Sequence, residues 1–139
     1  VAAHRSRVRV RFAELDPYNH VNHAIYVSYF EVGRVEALLD AGIDLAKLAE
    51  QGMQLVVVDL AVRYRAPAVA NDLLVVETGL ADIRGASTTW RQRVLREIDN
   101  TVLVTAEVRA GVTDTSGRPR RIPPAITETL AQLLIEPGT

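Results

Sequence analysis

Between Asn22 and Gly42 the chain carries its longest run at helical period, and that run sets the architecture. Ile25, Tyr29, Val32 and Glu36 share one spacing, and Tyr26, Phe30, Gly33 and Ala37 share the next, giving a broad, mostly apolar face. Asn22 is a good helix-capping residue type, and Gly42 readily takes the left-handed conformation that ends a helix. At about 1.5 Å per residue, a helix of about 20 residues is a rod of roughly 30 Å. In a chain of 139 residues such a rod is expected to be the central element.

The flanking segments read mainly as strands. Arg5 to Phe12 alternates, with Val8, Val10 and Phe12 on one side and Arg7, Arg9 and Arg11 on the other. After a short helical turn at Leu45–Glu50, Met53–Arg65 is expected to be a long strand with Val56, Val58, Leu60, Val62 and Tyr64 on one face. Pro67 with Asn71-Asp72, then Arg84-Gly85, then Asp99-Asn100, mark turns between the strands Leu73–Ala81, Ser87–Ile98 and Thr101–Thr113. Trp90, Val94 and Ile98 form the expected inward set of one strand, and Val102, Val104, Ala106, Val108, Ala110 and Val112 that of the next. Past a turn at Gly117, Pro123-Pro124 opens a final helix over Ala125–Ile135, with Ile126, Leu130, Leu133 and Leu134 as its buried stripe. The expectation is an α+β domain over 1–139, an antiparallel sheet of hairpin-related strands curled over the long helix. Its open edges predict pairing with a second copy.

Composition narrows the function classes. A net charge of −1 gives no field for nucleic acid or an anionic membrane, and the absence of cysteine excludes thiol nucleophiles, disulfides and cysteinyl metal sites. No apolar run approaches the roughly 18 residues of a spanning helix, and the first residues lack a signal-peptide core, so a cytoplasmic location is expected. There is no Walker loop, Rossmann glycine fingerprint or GxSxG elbow. Asp16, His20 and His23 match no standard zinc spacing, so neither metal nor cofactor is expected.

The chemistry concentrates in Glu14 to Arg34, ELDPYNHVNHAIYVSYFEVGR. Asp16 precedes a proline, and one reading makes its carboxylate a turn former that accepts nearby backbone N–H groups. The other makes it a nucleophile or general base beside a helix N-terminus that would bind a developing oxyanion. His23 falls in the first helical turn, where its N–H is one of the unpaired donors and its imidazole can orient substrate or Asp16. His20 and Asn22 either meet substrate or stitch the loop to the helix. Glu31 and Arg34 are expected to form a surface i,i+3 pair, His4 to be solvated, and Arg84 and Arg91 either to be exposed or to meet phosphates.

The run RFAELDPYNHVNHAIYVSYFEVGR resembles the hotdog-fold acyl-CoA thioesterases of the 4-hydroxybenzoyl-CoA thioesterase class. The motif match spans about residues 8 to 40, and the expected strand order extends it to about residue 122. The resemblance implies a helix wrapped by a five-stranded antiparallel sheet, a homodimer that often pairs again into a homotetramer, and active sites at the dimer interface. It implies that Asp16 is the catalytic carboxylate, that His23 assists through ring and backbone N–H, and that His20, Asn22, Tyr26 and Arg84 bind substrate, Arg84 at the nucleotide end. The substrate would be a thioester of coenzyme A or an acyl carrier protein. The branch with a histidine at the His23 offset often has a tyrosine four residues before the Asp, where this chain has Phe12, and its loop is Pro17-Tyr18-Asn19 rather than glycine-rich. A hydratase or dehydratase acting on enoyl thioesters, and a non-catalytic acyl-CoA binding module, are the alternatives.

Overall fold

A computed structural model of the chain describes residues 3–135. Five antiparallel strands, β1 (His4–Arg9), β2 (Gln54–Tyr64), β3 (Leu73–Arg84), β4 (Ser87–Arg96) and β5 (Thr101–Thr113), form one sheet in the order β1-β3-β4-β5-β2. The helices are α1 (Ile25–Asp40), α2 (Leu45–Glu50) and α3 (Pro124–Ala131). The sheet curls over α1 as the expected hotdog arrangement requires. Strands β3, β4 and β5 are joined by hairpins, but β2 is not hairpin-paired with β3: it crosses to the far edge and pairs with β5.

Helix α1 lies over β1, β3 and β4. Tyr26, Tyr29, Phe30, Gly33, Ala37 and Leu38 form its buried face, while Val32 is half-exposed. Burying each large apolar side chain here contributes about 1.5–3 kcal/mol. Gly33 sets the approach: a Cβ there would stand 2.7 Å from both Thr78 Oγ1 and Val76 Cγ1. Beneath it lies Gln92, a fully buried polar side chain. Its Nε2 donates to the Phe30 carbonyl and to Thr78 Oγ1, each at 2.9 Å, and its Oε1 accepts from Arg34 Nη1, also at 2.9 Å. The expected Glu31–Arg34 surface pair is therefore replaced by a bond into the core, and burial lowers the Arg34 pKa.

Other expectations shift for local reasons. The helix begins at Ile25, not Asn22, because Asn22 Oδ1 accepts from Ala24 N (2.9 Å) in a turn ahead of it. Its length is then about 24 Å at 1.5 Å per residue. Strand β1 stops at Arg9, and Phe12, expected inside, is exposed on a 3₁₀ turn (Phe12–Glu14). In β2 the register shifts between Val57 and Asp59, so Leu55 and Val57 share the concave face with Leu60, Val62 and Tyr64, and the expected Val56 and Val58 do not. Ile98 lies beyond the end of β4 and is 90% exposed, whereas Trp90 and Val94 are buried as expected. Val102 is only partly buried, because a register shift opposite Val94 and Leu95 brings in Leu103. The last helix ends at Ala131, after which Leu133 and Ile135 bond Leu80 of β3. His4 is not solvated: its Nε2 lies 2.6 Å from Asp40 Oδ2.

Gly-to-Ala in a helix ordinarily stabilises by about 1 kcal/mol. Gly33→Ala should instead destabilise by about 1–3 kcal/mol through overpacking against Thr78 and Val76, measured by urea unfolding. A stabilised variant would show that α1 does not lie this close to the sheet.

Candidate active site

The loop before α1 is held at both ends. Glu14, buried at its start, accepts from Arg11 N (2.8 Å), Arg11 Nη2 (2.8 Å) and Tyr29 Oη (2.7 Å). Burial alone would raise the Glu14 pKa, but these hydrogen bonds outweigh it and leave the carboxyl below its ordinary value. The Tyr29 hydroxyl is raised correspondingly, first by burial and then by its bond to Glu14. The Glu14 carbonyl also accepts from Asn22 N (2.9 Å), which closes the loop.

Inside it, Asp16 turns the chain. Its Oδ1 accepts from Tyr18 N (2.8 Å) and His20 N (3.2 Å), and its backbone N donates to the His20 carbonyl (2.7 Å). Asn19 takes the left-handed conformation at φ 63. The turn-forming role thus occupies one carboxylate oxygen, while Oδ2 has no hydrogen-bond partner among the described residues. Likewise the His23 N–H has no acceptor among them, but His23 stands in the turn just ahead of α1, before the cap at Ala24, and not in the first helical turn as expected.

Asp16, His20, Val21, His23, Tyr26, Tyr64, Arg65, Ala66 and Pro67 line one cavity of about 330 Å³. Four of the six side chains expected to be functional, Asp16, His20, His23 and Tyr26, therefore converge. Tyr26 is buried, with its hydroxyl accepting from Ala68 N (3.1 Å) and its pKa raised mainly by burial. Asn22 is engaged with Ala24 and does not line the cavity. Arg84 is elsewhere: it pairs with Asp82 (2.7 Å) at the β3–β4 turn. Arg84 is opposite Ser87, Ser87 opposite Gly111, and Gly111 opposite Val56, whereas the cavity lies at Tyr64. At about 3.3 Å per residue, that separates Arg84 from the cavity by roughly 25 Å.

Tyr64, which the sequence reading placed only on a strand face, proves part of the site. Its hydroxyl donates to the His23 carbonyl (2.7 Å), and its ring lies edge-on to His23 at 6.4 Å and to Tyr26 at 5.7 Å. Its only sequence signal is an aromatic residue at the end of an alternating strand just before Pro67. The loop after β2 is fixed by Arg96, whose Nη2 donates to the Pro67 carbonyl (3.1 Å), and by Asp72, which accepts from Val69 N (3.0 Å). Among the described residues no cluster of His, Cys, Asp and Glu is suited to hold a metal ion, and no helix is long and apolar enough to cross a membrane.

The model of the thioesterase-like superfamily matches residues 10–130. The chain belongs to this superfamily. It is 32% identical over 126 residues to the acyl-CoA thioester hydrolase YbgC of Escherichia coli O157:H7, covering 90% of this chain and 93% of that protein. It is 28% identical over 131 residues to the chloroplastic acyl-acyl carrier protein thioesterase ATL3 of Arabidopsis thaliana, covering 94% and 69%. A crystal structure described as "Probable Thioesterase from Bartonella henselae" superposes with a TM-score of 0.83 at 33% identity, covering 88% of this chain and all of that one. The chain is thus a hotdog-fold thioester hydrolase by family and fold.

Two variants check this geometry. Glu14→Ala leaves the Tyr29 hydroxyl unpaired and should cost about 1–3 kcal/mol at pH 7 in urea unfolding. Because the folded pKa of Glu14 lies below its unfolded value, its contribution is complete above the unfolded pKa and is lost as pH falls through the folded one. The gap between wild type and variant should therefore narrow below about pH 4. Tyr64→Phe should lower kcat/KM for thioester hydrolysis about two- to tenfold with little change in stability, since it removes one bond to the His23 backbone.

Proposed function

We propose that the enzyme hydrolyses an acyl thioester of coenzyme A or of an acyl carrier protein, with Asp16 as its catalytic carboxylate. The observation that carries this is the convergence, on one cavity, of Asp16 and His23, the first with a carboxylate oxygen and the second with a backbone N–H that have no partner among the described residues. In this reading the substrate carbonyl meets the His23 N–H, which together with the α1 dipole stabilises the oxyanion. Asp16 Oδ2 attacks the carbonyl carbon or takes a proton from the attacking water. In the general-base route the C–S bond breaks and the thiolate takes up the proton that Asp16 accepted from water. In the nucleophilic route C–S cleavage leaves an acyl–Asp16 anhydride, which water hydrolyses to the free acid, and the proton released goes to the thiolate. The imidazole of His23, braced by Tyr64, orients the reacting groups, with His20 and Tyr26 on the cavity wall.

The acyl chain has room along α1. Val27 lies one helical turn beyond His23, and Val27, Val35, Leu38, Leu55 and Leu60 line a cleft of about 400 Å³ between α1 and β2. A second copy completes this side in our reading. Strand β2 is a sheet edge with one side unpaired, and it carries the half-exposed Val56, Val57, Val58 and Leu60 near the half-exposed Val27 of α1. The finer placement in the 4-hydroxybenzoyl-CoA thioesterase class rests on the motif in residues 8 to 40.

Asp16→Asn keeps the turn-forming Oδ1 and removes the charge, so thiol release from a panel of aliphatic and aromatic acyl-CoAs should fall about 10²–10⁴-fold with the unfolding midpoint unchanged. Near-normal release would sink the assignment. Hydration of an enoyl-CoA without thiol release, or thermal stabilisation by acyl-CoA without turnover, would favour the hydratase or the binding module.

A further inference from the structure

The cleft between α1 and β2 is aliphatic except along its helical wall. Val27, Glu31, Arg34, Val35 and Leu38 form the stripe of α1 that lines it, so an acid and a base stand among apolar neighbours. The two charges are not equivalent. Glu31 is exposed, and water weakens the reach of its charge. Arg34 is half-buried, and burial lowers its pKa in spite of the nearby Glu31. It forms no ion pair within 4 Å among the described residues. The guanidinium therefore sets the field inside the cleft, and that field is positive.

This guanidinium is held in place but not used up. Its Nη1 donates to the buried Gln92 Oε1 (2.9 Å), which fixes the group in one orientation. The Nε–Nη2 edge has no acceptor among the described residues and remains accessible. That edge carries two parallel N–H groups, a fork that fits one carboxylate. Arg93, on the opposite face of the sheet, uses the same edge for Glu77, with Nε at 2.8 Å and Nη2 at 2.6 Å. Arg34 has the donors of Arg93 without the carboxylate. A neutral donor would satisfy Gln92 equally well, and a half-buried cation without a counter-ion costs stability, so the charge itself calls for an anion.

The cleft leads from the candidate site toward this fork. Arg34 stands about 16 Å beyond His23 along α1 at 1.5 Å per residue, and helical side chains lean back toward the N-terminus. The fork then lies on the order of 10–15 Å from the reacting carbonyl, which an extended chain spans in about ten bonds at roughly 1.2 Å each. We infer that Arg34 receives the free carboxylate at the far end of a dicarboxylic acyl group, which makes the enzyme selective for the monothioester of a medium-chain dicarboxylic acid. The methylene chain lies against Val27 and Leu60, and hydrolysis releases the diacid. A tail hydroxyl would engage the fork without matching its charge. This selectivity rests on the thioester-hydrolase reading of the cavity at Asp16 and adds to it the chemistry of the acyl tail.

The test is thiol release from two coenzyme A thioesters of equal length, decanoyl-CoA and the monothioester of decanedioic acid. Wild type should favour the decanedioyl substrate in kcat/KM, and Arg34→Met should lower that preference about tenfold to hundredfold. Because Arg34 also holds Gln92, the ratio of the two substrates is the readout rather than either rate. Glu31→Gln removes an opposing charge at an exposed position and should raise the preference about two- to fivefold. Should Arg34→Met not fold, the wild-type preference and its rise in Glu31→Gln decide. A wild-type preference for decanoyl-CoA, an equal fall on both substrates in Arg34→Met, an unmoved ratio in Glu31→Gln, or a stronger preference for ω-hydroxydecanoyl-CoA would each overturn the inference. An equal fall would leave Arg34 as a structural residue or as the partner of a carboxylate from a second copy. Should wild type release no thiol from any acyl-CoA, the hydrolase reading fails instead. Calorimetry with the decanedioyl thioester then judges Arg34 by itself: tighter binding to wild type than to Arg34→Met supports it, and equal binding overturns it.

Discussion

The amide of Gln92, buried beneath α1, is the interaction on which the arrangement depends. Its three hydrogen bonds tie the helix, at Phe30 and Arg34, to strands β3 and β4. An unpaired amide in that position would cost on the order of 1–3 kcal/mol, so the helix is stable only where all three bonds form. Sliding α1 by one residue moves it about 1.5 Å and turns it by about 100°, which breaks the set. Gly33 makes the bonds reachable, because any side chain there would lift the helix off Thr78 and Val76.

A helix fixed in rotation has a fixed N-terminus, and the site is assembled from that end. Tyr26, in the first turn, reaches the Ala68 amide of the loop after β2. Tyr64 reaches back to the His23 carbonyl. The Val21 amide donates to the Ala68 carbonyl, so segments distant in sequence are laced together around the cavity. Asp16 is placed by its own turn rather than by a charged partner. Its Oδ1 organises the backbone, and this leaves Oδ2 available to a reacting group.

The periodic features were readable because they are local. The apolar face of α1, the alternation of β4 and β5, and the dense polar loop at Asp16 all follow from neighbours a few residues apart. What misled was any place where one residue changes parity or a distant partner intervenes. The shift at Val58 moves Val56 to the convex face, and the end of β4 at Arg96 exposes Ile98. Helical spacing offered Arg34 only Glu31, while its actual partner is 58 residues away. The role of Tyr64 was equally hidden, since its partner is 41 residues away in the sequence.

The sheet is covered unequally by α1. Because α1 lies over β1, β3 and β4, the concave side of β2 keeps an apolar cleft that begins where the helix begins. A helix centred on the sheet would bury more surface but would close this cleft against the carboxylate. The same offset leaves β2 as an aliphatic edge, so the arrangement that opens the cleft also leaves the surface that a second copy would cover in the proposed dimer. On the convex side the identical strand carries arginine instead, because successive residues alternate faces. The two faces of β2 thus differ in chemistry, aliphatic toward α1 and cationic away from it, and Arg65, just past its end, lines a cavity on each.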